Sequence, residues 1–336
     1  MTILVTGGTG YIGSHTVAQL LQAGHEVLVL DNLCNSKAKV IDRITQITGK
    51  SPGFIEGDVR DRPLLKKLFS EHDISTVIHF AGLKAVGESV QKPLMYYDNN
   101  VSGSIVLFEE MAAANVKEIV FSSSATVYGD PQFLPITEDH PLSVTNPYGQ
   151  NKWMIENILR DIYVADSSWK IVLLRYFNPV GAHISGTIGE DPADIPNNLM
   201  PFVAQVAIGK RKLLQIFGND YATPDGTGVR DYIHVEDLAS GHLAALNYLQ
   251  KNSGVLTVNL GTGAGTSVLE LIQAFEKASG KKLPYEIVAR RPGDLPEYYA
   301  DAVYSKQILG WQAQYNLDRM CEDTWRWQSQ NPNGFN

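Results

Sequence analysis

Cysteine is almost missing from this chain: 336 residues carry two, Cys34 and Cys321, far apart and without metal-ligand spacing. That scarcity excludes a disulfide-stapled scaffold and suits a reducing compartment. Long apolar runs are missing too, and none approaches the roughly 20 residues that a membrane-crossing helix needs. Positive charge is in deficit, with 28 Lys and Arg against 36 Asp and Glu and a net charge of −8. Nucleic acid and anionic membrane are therefore poor general partners. A few arginines converging in a cleft can still hold a phosphorylated small molecule on such a protein. Met1 leads directly into the first apolar run, so the expectation is a leaderless, cytoplasmic protein.

What is present is concentrated at the start. Residues 2–6 (TILVT) are a short apolar run, followed by GGTGYIG at 7–13 and a helix-like stretch over 14–23. A strand, a glycine-spaced turn and a helix N-terminus together make a phosphate-binding device, because glycines admit an anion close to the backbone and the helix dipole holds it. Residues 26–30 (EVLVL) read as a second buried strand closing on Asp31. A carboxylate there, roughly 20 residues beyond the glycines, suits the ribose hydroxyls of a dinucleotide. It would repel a 2′-phosphate, so NAD is favoured over NADP.

Strands and helices alternate through the first half, with strands expected near 53–56, 74–80, 116–122 and 169–175, and helices near 40–47, 62–72, 99–115 and 148–164. The pattern predicts a doubly wound parallel α/β sheet of Rossmann type, with ligands at the carboxyl ends of its strands. Past Pro179 periodicity fades and shorter mixed elements follow. The expected organisation is a nucleotide-binding domain over 1–179, joined by segments near 230–262, and a smaller mixed α/β substrate domain over 180–336. Taken alone, Asp58 reads equally as a cap or an adenine contact, and Asn99 as the N-cap of the 99–115 helix, a role that its neighbours Asp98 and Asn100 could fill equally.

Tyr148 and Lys152 stand four apart at a helix start behind Pro147, so they share a face. A lysine cation and a nicotinamide cation nearby would both lower the pKa of a phenol that titrates near ~10 when free. An exposed Tyr–Lys pair is the bland alternative. Ser124, at a strand end some two dozen residues earlier, adds a hydroxyl able to share the phenol's proton. Ser, Tyr and Lys downstream of a nucleotide-binding turn suit moving a proton off a carbinol while hydride leaves.

With those residues in view, the chain resembles the extended short-chain dehydrogenase/reductases, through residues 6–15, 122–130 (SSSATVYGD), 148–152, 175–179 (RYFNP) and 230–238 (RDYIHVEDL). Residues 31–36 (DNLCNS), 80–89 (FAGLKAVGES), 195–201 (IPNNLMP), 216–220 (IFGND) and 290–301 make it similar to the branch that epimerises UDP-hexoses at C4. The likeness covers essentially the whole chain.

The resemblance implies Tyr148 as catalytic base and acid, Lys152 as the group that lowers its pKa and holds the nicotinamide ribose, and Ser124 on the sugar's 4-oxygen. It places NAD on Gly7, Gly10, Tyr11, Ile12, Gly13, Asp31, Asn32, Leu33, Cys34, Asn35, Ser36, Asp58, Val59, Phe80, Ala81, Gly82, Leu83, Lys84, Asn99, Ser124, Tyr148, Lys152 and Phe177. It places the UDP-sugar (UDP-galactose or UDP-glucose) on Lys84, Ser124, Tyr148, Asn178, Asn198, Leu199, Gln215, Ile216, Phe217, Arg230, Arg291, Asp294 and Tyr298. A surface ion pair is the bland alternative for each arginine. Related dehydratases need a carboxylate just before Val127-Tyr128-Gly129, where Ala125 and Thr126 stand instead. His234 with Glu236 and Asp237 reads as capping and core packing rather than a metal site. Family members pair through helices like 99–115 and 148–164, so a homodimer is expected, although the same apolar stripes could simply cover the sheet.

Overall fold

The β-branched runs fold as the strand pattern requires. The computed structural model describes residues 1–192, 196, 198–291 and 293–335. Its strands are β1 (Thr2–Thr6), β2 (Glu26–Asp31), β3 (Gly53–Glu56), β4 (Ile74–His79), β5 (Glu118–Ser124), β6 (Lys170–Tyr176), β7 (Asn178–Val180), β8 (Leu214–Phe217), β9 (Val229–His234), β10 (Gly254–Leu260), β11 (Gly265–Ser267), β12 (Tyr285–Val288) and β13 (Glu297–Tyr298). The chain forms two units, one from Met1–Asp130, Pro141–Tyr176 and Ala239–Val258, the other from Pro131–His140, Phe177–Leu238 and Asn259–Asn336.

The first unit is built on a seven-stranded sheet of order β10-β6-β5-β4-β1-β2-β3. The pairs from β3 across to β6 are all parallel. Parallel strands covered on both faces need near-continuous apolar sequence, and β1, β2, β5 and β6 are buried along almost their whole length. Leu107 and Phe108 from helix Gly103–Ala113, and Ile155 and Leu159 from helix Pro147–Ala165, pack with Leu4, Val77, Phe121 and Leu173 of the sheet in one core. Strand order reverses between β1 and β4, which opens the crevice where sheets of this kind hold their ligands.

One helix departs from expectation. Instead of starting at Asn99, helical structure begins at Pro93–Tyr96, widens into a π turn at Tyr97–Ser102 and continues as Gly103–Ala113. Asn99 is thus inside a π turn and is no N-cap. π turns often mark functional positions.

The second unit has a four-stranded sheet in which β9 pairs with β7, β11 and β13, and a two-stranded sheet of β8 and β12. Helices Leu199–Ala207, Val268–Ser279 and Leu317–Gln330 close a core around Met200, Val203, Leu271, Phe275 and Met320. Ser267 and Glu270 form a capping box that fixes the start of helix Val268–Ser279. Among the described residues no helix is long and apolar enough to cross a membrane.

Candidate active site

In the first unit the glycine turn joins β1 to helix Tyr11–Gln22. Gly7 has φ +70°, and a Cβ there would lie 2.7 Å from the Ala81 nitrogen, so only glycine fits. At Gly13 a Cβ would meet the Gly7 carbonyl oxygen at 2.3 Å, which makes it the residue that lets helix and turn approach. Gly10 brings no side chain to cap the helix, whose dipole therefore faces the turn. Tyr11 and Ile12 open that helix.

Asp31 ends β2 and is buried. Its carboxylate accepts from the Thr9 N–H (3.1 Å), the Leu33 N–H (2.9 Å) and the Ser36 hydroxyl (3.0 Å). A carboxylate has about four acceptor positions, so room remains for a ribose hydroxyl. Leu33 adopts φ +58° in this loop, a left-handed conformation uncommon for leucine. The Cys34 N–H bonds to Asn32, the Cys34 thiol is exposed, and Asn35 follows in the same loop. The Asn32 amide donates to Asp58 at 2.9 Å. Arg60 forks onto Asp58 and holds its carboxyl far below the usual range, so the side chain is engaged as an ion pair and turn lock. Val59 is buried in the core behind it.

The segment after β4 is braced from beneath. The Ala81 N–H donates to the Thr6 hydroxyl, which bonds His79 Nδ1 at 2.7 Å. His79 Nε2 meets the Ser104 hydroxyl at 2.9 Å, and that hydroxyl donates to the Asn100 carbonyl. Ser104 must therefore accept from Nε2–H. Burial, helped by the Lys152 charge, pushes His79 down to about 3, so it is a neutral strut. Asn100 accepts from the Leu83 N–H (2.7 Å) and donates to the Leu83 carbonyl (2.9 Å), clamping the loop that carries Gly82 and Lys84. Asn99 donates to the same Asn100 oxygen. Phe80 lies against the His242 ring, 4.7 Å between centroids.

Tyr148, Lys152 and Ser124 come together. Asn146 caps helix Pro147–Ala165 by accepting from the Gly149 N–H at 2.9 Å, with Pro147 in the first turn. Tyr148 hydrogen-bonds Ser124, whose hydroxyl also accepts from the Thr126 N–H and hydroxyl. Lys152 is buried, donates to the Ser122 carbonyl at 2.6 Å, and sits 5.9 Å from the centre of the Tyr148 ring. One expectation is reversed in the protein alone. Burial pushes the Tyr148 phenol up to about 12, and only Ser124 pulls the other way. The reason is desolvation, which disfavours the charged phenolate, while the Lys152 ammonium donates to the Ser122 carbonyl. Asn146→Ala is expected to destabilise this helix start by about 1 kcal/mol, seen as a lower urea midpoint and weakened turnover at once.

The second unit gathers the remaining residues. Arg291 forks onto Asp294 (2.8 and 3.2 Å) and lies over the Phe217 ring at 4.7 Å. Arg230 reaches within 3.8 Å of Asp294 and donates to the Leu295 carbonyl. Two arginines, a carboxylate and an aromatic face thus converge, a set suited to a diphosphate and a ribose. Gln215 is exposed beside buried Ile216 on β8 and donates to Glu286. The Asn178 amide donates to the Asp231 carbonyl. Asn198 precedes helix Leu199–Ala207 without capping it. Ile195 and Asn197 of the IPNNLMP run lie outside the described residues. Phe177 packs on Tyr298, 5.7 Å between ring centres, and Tyr298 pairs with Arg230 between β13 and β9.

His234 Nδ1 accepts from the Glu236 N–H, so its Nε2–H is the one turned to Asp323 at 3.2 Å. Among the described residues there is no cluster of three or more His, Cys, Asp or Glu that could hold a metal. Sequence reading missed Asn100, weighed only as an alternative cap, and Glu156, whose signal was its place one turn beyond Lys152.

A family model described as GDP-mannose 4,6 dehydratase matches residues 4–324. The chain is 60% identical to the UDP-glucose 4-epimerase of Bacillus subtilis (strain 168), over 100% of this chain and 99% of that protein. It is 59% identical to the UDP-glucose 4-epimerase of Mus musculus, over 99% and 98%. The crystal structure of UDP-glucose 4-epimerase from Bifidobacterium longum in complex with NAD+ and UDP superposes with a TM-score of 0.96 at 56% identity, covering 99% of this chain and 100% of that one.

Proposed function

Because the chain belongs to the UDP-glucose 4-epimerases of the extended short-chain dehydrogenase/reductase family, we propose that it interconverts UDP-galactose and UDP-glucose. C4 of the hexose is oxidised to a ketone, the sugar rotates about its link to the diphosphate, and the ketone is reduced on the opposite face. Bound NAD supplies the hydride acceptor and returns the hydride, so no net redox change occurs.

The chain's own residues do the rest. The glycine turn and uncapped helix end suit a pyrophosphate, and Asp31 suits an unphosphorylated ribose. Tyr148 removes the 4-hydroxyl proton and later gives it back, with Ser124 bonded to the phenol and to the sugar oxygen. Lys152 is the positive charge that the chain itself provides near that phenol. Arg230, Arg291 and Asp294 carry most of the binding through UDP. That division leaves the hexose loosely held and free to turn. The unit containing β1–β6 is assigned to NAD, and the unit containing β9 to the UDP-sugar.

The observation that carries this reading is the Ser124–Tyr148–Lys152 group, with Ser124 and Lys152 buried and Tyr148 half-buried, in the unit that also bears the glycine turn and Asp31. Its test is to incubate the purified protein with UDP-galactose and no added cofactor. UDP-glucose should form, and denaturation should release NAD; an empty protein that cannot take up a dinucleotide would sink the proposal. A 4,6-dehydratase is the second reading, suggested by the name of the family model. Ala125 and Thr126, where elimination needs a carboxylate, oppose it. No 4-keto-6-deoxy sugar should accumulate.

We also propose a homodimer and a cytoplasmic location. Val90, Leu94, Met95 and Ile105 expose apolar side chains on neighbouring helical segments, Leu94 to 82%. Exposed apolar side chains of this kind suit a docking surface. Sedimentation should give a dimer, and Leu94→Glu a monomer. The unpaired thiols of Cys34 and Cys321 fit a reducing compartment.

A further inference from the structure

Helix Pro147–Ala165 carries a second buried charge that the reaction above does not use. Glu156, 1% exposed, lies one turn beyond Lys152. Its Oε1 accepts from the Ser123 hydroxyl at 2.5 Å and from Arg175 Nε at 2.9 Å, and its Oε2 from Arg175 Nη2 at 2.6 Å. Arg175 is 3% exposed and lies 4.8 Å over the Tyr128 ring. One carboxylate thus ties the helix to β5 and β6. A fixed ion pair this deep costs desolvation that a hydrophobic pair would avoid, so a role beyond packing is worth seeking.

The neighbour that would feel it is Lys152. The groups facing that ammonium are few. From β5 come the Ser122 carbonyl at 2.6 Å and the Phe121 ring at 4.8 Å, and from β4 the neutral His79. The neighbouring strand β6 carries Arg175, bound to Glu156, and the buried, un-ionised Tyr176; its own helix carries Tyr148, Glu156 and the more exposed Arg160, 3.9 Å from Glu156. Helical side chains lean toward the N-terminus, which turns the Glu156 carboxylate toward Lys152. Among these groups Glu156 is the one carboxylate.

From this geometry we propose that Glu156 is a positioning residue that keeps the Lys152 ammonium protonated inside a dry site, and that Arg175 is the counter-charge limiting its pull. Burial drags Lys152 down to about 8, while Glu156 draws it back up. A lysine balanced so close to working pH depends on each neighbouring charge. A carboxylate favours the ammonium and a guanidinium opposes it, each by about one unit or more at close range.

The two partners therefore make opposite predictions. Protein as purified is labelled with [6-13C]lysine, the Lys152 resonance is assigned by its loss in Lys152→Arg, and it is titrated from pH 6 to 11 without substrate. Glu156→Gln, which keeps an acceptor for Ser123 but leaves Arg175 unopposed, should lower the Lys152 midpoint by about one unit or more. Arg175→Gln should raise it. The alkaline limb of the turnover profile should move in the same two directions. A clamp with no electrostatic role predicts one unchanged midpoint, or shifts of the same sign, and either result overturns the proposal. If only one variant folds, the sign of its shift decides. If neither folds, Glu156→Asp, which keeps the pair with Arg175 but draws the carboxylate back, should lower the midpoint, and an unmoved one overturns the proposal. The turnover arm rests on the catalytic reading of Tyr148 and Lys152, whereas the resonance arm does not. Opposite resonance shifts with a static turnover profile would support the coupling and count against that catalytic reading.

Discussion

Tyr148→Phe is expected to lower kcat by about 10²- to 10⁴-fold, the range for losing a positioned acid–base group. The dinucleotide should stay bound, because the glycine turn, Asp31 and the Asn100-clamped loop are untouched. The substitution removes one oxygen from a half-buried side chain and leaves the ring in place, so the fold should survive. It also releases Ser124, which keeps the Thr126 N–H and hydroxyl as donors and is not orphaned. The check is paired: turnover of UDP-galactose, and NAD released per chain on denaturation. Full turnover with full NAD would remove Tyr148 from the mechanism. Loss of both would mean that the residue was holding the cofactor site rather than moving a proton. KM should change little, since the UDP contacts proposed for Arg230 and Arg291 are untouched.

That prediction depends on how far the sequence alone could be read. The parallel sheet was legible because β1, β2, β5 and β6 are apolar, β-branched runs with a period that only burial on both faces explains. Strand ends were legible for the same reason, and they placed Asp31 and Ser124. The π turn at Tyr97–Ser102 was not. Nothing in YDNNVS distinguishes it from an ordinary helical turn, and the bonds around it join Asn100 to Leu83 and Asn151, 17 and 51 residues away. Long-range bonds of that kind leave no periodic trace.

The site divides in the same way. Spacing of four brought Tyr148 and Lys152 to one face, but spacing says nothing about how dry that face is. Burial decides the direction of both pKa values, and so the expected fall in the phenol's pKa is absent from the protein alone. In the second unit Phe217, Arg230, Arg291 and Asp294 are scattered over nearly eighty positions. Only family likeness named them together; no local pattern could have done so. Glu156 was visible as a charge one turn past Lys152, yet its partner Arg175 sits on another strand, so its meaning needed the fold.

UDP-N-acetylhexosamines should be poor substrates for this chain, and Tyr298→Ser should raise kcat/KM for UDP-GlcNAc by roughly 10- to 100-fold. The family resemblance sets Tyr298 beside C2 of the sugar, where an acetamido group needs space. The ring cannot easily step aside. It packs on Phe177 at 5.7 Å, and its backbone is held in register with Arg230 on β9. Asp231, next along β9, anchors the following stretch by accepting from the Ala300 N–H at 3.2 Å. Forcing an extra group against a pinned aromatic costs about 1–3 kcal/mol, and that energy converts to the stated factor at 1.4 kcal/mol per tenfold. Because serine only removes atoms, UDP-galactose turnover should fall far less than UDP-GlcNAc turnover rises. The measurement is the ratio of the two kcat/KM values in the wild type and the variant. Comparable turnover of both sugars by the wild type would show that Tyr298 excludes nothing. An unchanged ratio in Tyr298→Ser would move the exclusion to another wall of the sugar site.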